Sequence, residues 1–216
     1  MPLSIEKAAK LCDLNESESN IVSSLAKSIE CYQQLPDFSQ QKRKYWTATL
    51  RPFLARILPN PSPPVPFNET WNLLYRSIYK YLLNDPDLVN SSSVFVFDLA
   101  SHLEGCLVAL TRATQTAIPK RPTFGEQVKM LRNGGIIGSK LAEQLFAFNE
   151  VALIPIKHVE QAILHGVQDP EEPSYTAIDM SLALMCTRKL SMRLFQLLSK
   201  NGVKLPHEWP LLTQGN

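Results

Sequence analysis

The chain is poor in glycine, with 8 residues in 216, and has no stretch in which β-branched and polar residues alternate. Both shortages argue against strands and hairpins, and for helices. An excess of one charge is also missing. Lys and Arg total 22 against 20 Asp and Glu, a net charge of +2, so any basic surface has to come from local clustering. The longest uninterrupted apolar runs, 94–97 and 151–156, fall far short of the ~18 residues that read as a membrane span. Glu6 and Lys7 interrupt the N-terminus before an apolar stretch forms, unlike a secretory signal. Cys12, Cys31, Cys106 and Cys186 are scattered, with no CxxC pair. They read as buried thiols, not as a zinc site or a disulfide framework. There is no P-loop, G-x-G-x-x-G, G-x-S-x-G or H-E-x-x-H. These absences predict a cytoplasmic protein with no membrane contact, no metal and no cofactor.

Helical spacing fills most of the chain, and its 16 prolines fall largely between the helical patterns. A short helix is expected over 5–12. The next, capped by Asn15 or Ser17, runs to about Leu35 and buries Ile21, Val22, Leu25, Ile29 and Tyr32. A third starts at Ser39 and reaches about Leu58, with a kink or break near Arg51 because Pro52 lies inside it. Pro59, Pro61, Pro63, Pro64 and Pro66 then form an extended, exposed connector. Asn68 or Thr70 caps a helix to about Leu83, and Asn90 or Ser91 to Ser93 cap a long one to Ala113. Thr123 and Glu126 make a capping box, and Gly134-Gly135 closes that helix. Further helices are expected over 139–148, 157–164 and 175–200. The apolar segment between the first two is broken by Pro155, and the tail from Val203 packs loosely. The chain therefore reads as an all-α helical bundle with an N-terminal helical extension: 1–60 packed on the rest, 61–68 a proline-rich connector, and 69–216 the bundle.

Some of the parts recur in a known order. Leu103-Glu104-Gly105-Cys106-Leu107 sits mid-way along a long helix. The capped helix TFGEQVKML follows, then a turn with Gly135-Ile136-Ile137-Gly138. A further helix leads to Asn149 and to Lys157-His158, and a long helix closes the set. Residues 91–202 thereby resemble the HEPN superfamily of prokaryotic helical domains, within it the mannitol-operon repressor and abortive-infection groups. The resemblance implies a homodimer, or a partner in a defence or stress-response assembly. It also implies a last helix bordering the dimer cleft. The family's nuclease members cleave RNA without a metal, using an arginine a few residues ahead of a histidine. Residues 150–154 here are Glu-Val-Ala-Leu-Ile, so the carry-over reaches His158 alone.

His158 is therefore the one candidate catalytic residue, set against the reading of a partly buried histidine that bonds a neighbouring helix. His165 follows seven residues on, without a carboxylate in register for a metal. Asp98 and His102, at i, i+4, read as a helix-surface or buried pair and not as an acid–base dyad. Two basic clusters are candidate polyanion sites. Lys42, Arg43 and Lys44 precede Tyr45 and Trp46, with Arg51 and Arg56 beyond; basic residues among aromatics can grip phosphate and stack on bases. The other is Arg188, Lys189 and Arg193 on the last helix, with the loop residues Lys120 and Arg121; if that helix borders a dimer cleft, as the resemblance implies, they would form a polyanion-binding groove with Lys157. Three functions follow: a HEPN-like binding or regulatory protein that pairs with itself or with a protein partner and touches RNA; a divergent metal-independent endoribonuclease using His158; or a helical interaction scaffold.

Overall fold

The computed structural model describes residues 4–59, 67–116, 120, 122–166, 168 and 173–212. No strand occurs among them, and the chain is an all-α bundle. The helices are α1 (Ile5–Leu11), α2 (Glu16–Gln33), α3 (Gln40–Tyr45), α4 (Arg51–Ile57), α5 (Glu69–Tyr75), α6 (Ser92–Ala113), α7 (Phe124–Asn133), α8 (Ser139–Phe148), α9 (Ile154–Leu164) and α10 (Ala177–Lys200). A 3₁₀ turn spans Pro86–Asn90, and π-helical turns span Trp46–Leu50, Arg76–Leu82 and Asn149–Leu153.

Local chemistry sets most starts. Asn15 and Glu18 exchange both capping-box bonds at α2, as Thr123 and Glu126 do at α7 and Thr176 and Asp179 at α10. Ser39 and Asn68 cap α3 and α5. Beyond α7, Gly135 takes φ +70°, which lets the Ile136 N–H reach back to the Leu131 carbonyl at 2.9 Å.

Two internal prolines do not break their helices. The expected kink near Arg51 is a π turn: the Arg51 N–H reaches the Trp46 carbonyl, and helix continues past Pro52. The expected break at Pro155 is resolved in the same way, with the Ile154 N–H bonded to the Asn149 carbonyl. A proline ring clashes with the carbonyl four residues back and supplies no N–H. Each proline instead sits in the first turn of the α-helix beyond its π turn, where it is tolerated. Residues 139–164 are thus one helical run.

α6 and α10 pack along each other at the centre, with α2 and α1 against α10 and with α5 and α7 against α6. α5 comes so close that a β-carbon on Gly105 would meet the Leu73 carbonyl oxygen at 1.9 Å. Ile5, Leu25, Ile29 and Leu54 from the N-terminal helices belong to the same buried cluster as Leu107, Leu145 and Leu190. The N-terminal extension therefore shares one core with the rest. Of the proline segment, residues 60–66 lie outside the described residues, and Pro59 at its edge is buried.

By length and composition Ser92–Ala113 does pass as a membrane-crossing helix, with mean hydropathy 1.5. Apolar character along a helix identifies a span or a central core helix equally well. In the fold 61% of that window is buried inside the protein, and α6 carries Asp98 and His102 inward.

Candidate functional site

Because the helix runs through Pro155, α9 presents its residues in continuous register. His158 is exposed, as is His165, so the partly buried setting expected for His158 is not what the fold provides. Its neighbour Lys157 turns the other way, and Nζ lies 3.9 Å from Oε1 of Glu104, the mid-helix glutamate of α6. Asn149 is buried at the π turn. Ile163 and Leu164 are exposed at 56% and 83%, and Val94 on α6 at 40%. A cavity of about 190 Å³ between Val94, Phe97, Ile156, Val159 and Ile163 joins Val94 and Ile163 into one apolar face; Leu164 is not part of its lining. Among the described residues no group of three or more His, Cys, Asp or Glu is arranged to hold a metal ion.

The basic residues of α10 do not join Lys157 in a groove. Arg188 is buried at 4% exposure; its guanidinium donates to the Pro210 carbonyl and lies 3.0 Å from the Met192 sulfur. Burial lowers its pKa, opposed by the charge of Glu18. Lys189 pairs with Glu18 at 2.9 Å and donates to the Asp13 carbonyl. Arg193 donates to the Gln144 side chain on α8. The Arg188 Nε is buried without a hydrogen-bond partner among the described residues, and a guanidinium enclosed in the bundle in this way does not present its fork to a phosphate outside. Lys120 is exposed, and Arg121 lies outside the described residues.

The N-terminal basic cluster divides. Arg43 and Lys44 are exposed. Lys42 is buried at 5%, with Nζ 2.6 Å from Asp37 and 4.8 Å from the centre of the Tyr32 ring. Trp46 is buried, so it cannot stack on a nucleic-acid base. Arg51 bonds the Leu83 carbonyl and Asn84, and Arg56 lies over the Phe53 ring. Beside Lys42 opens a cavity of about 570 Å³.

A further arrangement escaped the sequence. His102 Nε2 lies 2.7 Å from Ser191 Oγ, the Cys106 sulfur 3.7 Å from the same nitrogen, and Trp209 Nε1 donates to Ser191 Oγ at 2.7 Å. The first distance is that of a nucleophile and its base, but the hydroxyl is already engaged by the indole and His102 is 1% exposed. Burial pulls the His102 pKa down to about 3 and pushes the Cys106 thiol up to about 12. The Leu74 carbonyl favours the protonated ring, yet no aligned hydrogen bond reaches Nδ1. This network is a buried polar hub under the C-terminal tail, bonded through Nε2 of His102 and Oγ of Ser191. The tail does not pack loosely: Trp209 is buried at 5%, Tyr75 donates to the His207 carbonyl, and Pro210 receives Arg188. The signal available in the sequence was Trp209 itself, a large ring that is costly to leave in water. Asp98 is also buried, and its pKa rises to about 7 through burial first and the charge of Asp85 second.

Comparison with family models, with curated proteins and with solved structures finds no match to the chain.

Proposed function

We propose that the chain is a HEPN-like binding or regulatory protein of a prokaryotic defence or stress-response system, self-associating and lacking a complete nuclease pair. What supports this reading most is the disposition of the cations. Lys157, Arg188, Lys189 and Arg193 each engage an internal partner, while His158 stands exposed beside an uncovered apolar face. A histidine can move a proton, but phosphoryl chemistry also needs charge held against the phosphate. An exposed apolar face rimmed by polar groups is the usual mark of a contact surface. On this reading two copies meet through α9 and the start of α6.

Light scattering on the full chain tests the association. The wild type is expected at twice the monomer mass, and Leu164→Asp with Ile163→Asp at the monomer mass with unchanged helicity. A monomeric wild type across micromolar concentrations would overturn self-association. The divergent endoribonuclease is the second reading, favoured by the exposure of His158. The scaffold reading stands behind both. A cytoplasmic location belongs to the proposal.

A further inference from the structure

The cavity beside Lys42 is walled by Tyr32 of α2, Trp46 of the first π turn, Pro86 of the 3₁₀ turn, and Phe38. Tyr32 and Trp46 pack at 5.9 Å between ring centres. Phe38 is 89% exposed and held at φ 58°, a left-handed conformation that a bulky side chain rarely adopts. The turn that imposes it closes with the Ser39 N–H on the Pro36 carbonyl, and it stands the ring at the mouth instead of in the core.

The cavity already demonstrates its preference with one of the protein's own groups. The Lys42 ammonium sits over the Tyr32 face and against the Asp37 carboxylate. An aromatic face and a carboxylate together are the chemistry that stabilises an ammonium ion. Lys42 and Asp37 neutralise each other, so the remaining charges decide the sign. Asp87 lines the cavity and is exposed. Its charge, with those of Asp37 and Asp85, raises the Tyr32 hydroxyl pKa, after burial as the larger cause. Arg43 on the rim is the opposing charge, and it has open solvent to turn into. The volume of about 570 Å³ falls within the range of small-ligand pockets, roughly 300–1,000 Å³.

We propose that this cavity is a binding site for a small organic ammonium ion, held against the exposed Phe38 ring at the mouth, with Trp46 and Tyr32 as the inner wall and Asp87 as its counter-charge. The Lys42–Asp37 pair forms one wall. A polyanion is disfavoured at the same place, because Asp87 faces it and Lys42 is spent on Asp37.

The probes are choline, its uncharged isostere 3,3-dimethylbutan-1-ol, and inorganic phosphate, each titrated into the full chain and followed by NMR and tryptophan fluorescence. Choline should give saturable shifts confined to residues around Tyr32, Trp46 and Thr47, with affinity roughly tenfold above the isostere. Asp87→Asn and Phe38→Ala alter exposed side chains, so the fold should survive. Each should weaken choline several-fold and leave the weak binding of the isostere nearly unchanged in the Asp87 variant. Equal affinity for choline and its isostere, or choline shifts elsewhere on the surface, would overturn the proposal. Phosphate shifting these resonances where choline does not would make the cavity an anion site and overturn it equally.

Discussion

Replacing Gly105 by alanine puts the central packing to a quantitative test. The added β-carbon would lie 1.9 Å from the Leu73 carbonyl oxygen and 2.9 Å from its carbon, where contacts under 3.0 Å are essentially never found. The obstruction is backbone, so it cannot rotate away; α5 has to retreat from α6 by about 1 Å. That helix carries the buried residues Trp71, Leu74 and Tyr75, whose packing would loosen with it. Overpacking of this kind costs ~1–3 kcal/mol and sometimes more. Against it stands the gain of ~1 kcal/mol from alanine over glycine inside a helix. With rigid backbone on both sides the upper part of the range applies, and the net loss is about 2 kcal/mol. For a chain of this size that lowers Tm by roughly 4–8 °C. Gly125→Ala is the control, since its nearest neighbour would be Phe146 at 3.8 Å, an ordinary contact; it should be neutral or stabilising. Thermal and urea unfolding followed by circular dichroism measure both. If Gly105→Ala unfolds at or above the wild-type temperature, the close approach of α5 to α6 is wrong.

Asp98 gives a pH test. Its folded pKa, about 7, lies above the ordinary value of 3.8, so the stability it contributes is full below pH 3.8 and lost as pH rises through 7. Asp98→Asn should therefore stabilise the protein at pH 8 relative to the wild type and much less at pH 5, by urea midpoints; a difference independent of pH would refute the buried neutral acid. Trp209→Phe removes the indole bond to Ser191 and should cost about 1 kcal/mol, whereas removing 204–216 also takes away the buried ring and should cost ~3–5 kcal/mol; a truncated chain as stable as the full one would show the tail undocked. Cys31 is half-buried while Cys12, Cys106 and Cys186 are buried, so a thiol reagent should label Cys31 first and the others at the rate of opening; rapid labelling of a second cysteine would contradict the packing of α1, α6 or α10.

What the sequence disclosed is what neighbours along the chain decide. Thr123 with Glu126, and the Gly134-Gly135 stop, are local hydrogen-bond chemistry, and both ends of α7 follow from them. Pro52 and Pro155 misled because each follows a π turn and sits in the first turn of the α-helix beyond it, where a proline is tolerated. The basic residues misled for a different reason. Lys42 has its carboxylate five residues back, but Arg188 finds its acceptor at Pro210 and Lys189 finds Glu18 in another helix. A charged residue on an amphipathic helix looks solvated until the chain that covers it is known. The pairing of His102 with Ser191, 89 residues apart, leaves no trace in either local pattern.

The account rests on His158 standing without a catalytic partner, and RNA cleavage tests that directly. A labelled single-stranded RNA pool of mixed sequence is incubated in EDTA with the wild type and with His158→Ala, and fold is checked by circular dichroism. The account predicts intact RNA with both proteins. Cleavage by the wild type that disappears in a folded His158→Ala variant would contradict it and make the chain a metal-independent endoribonuclease.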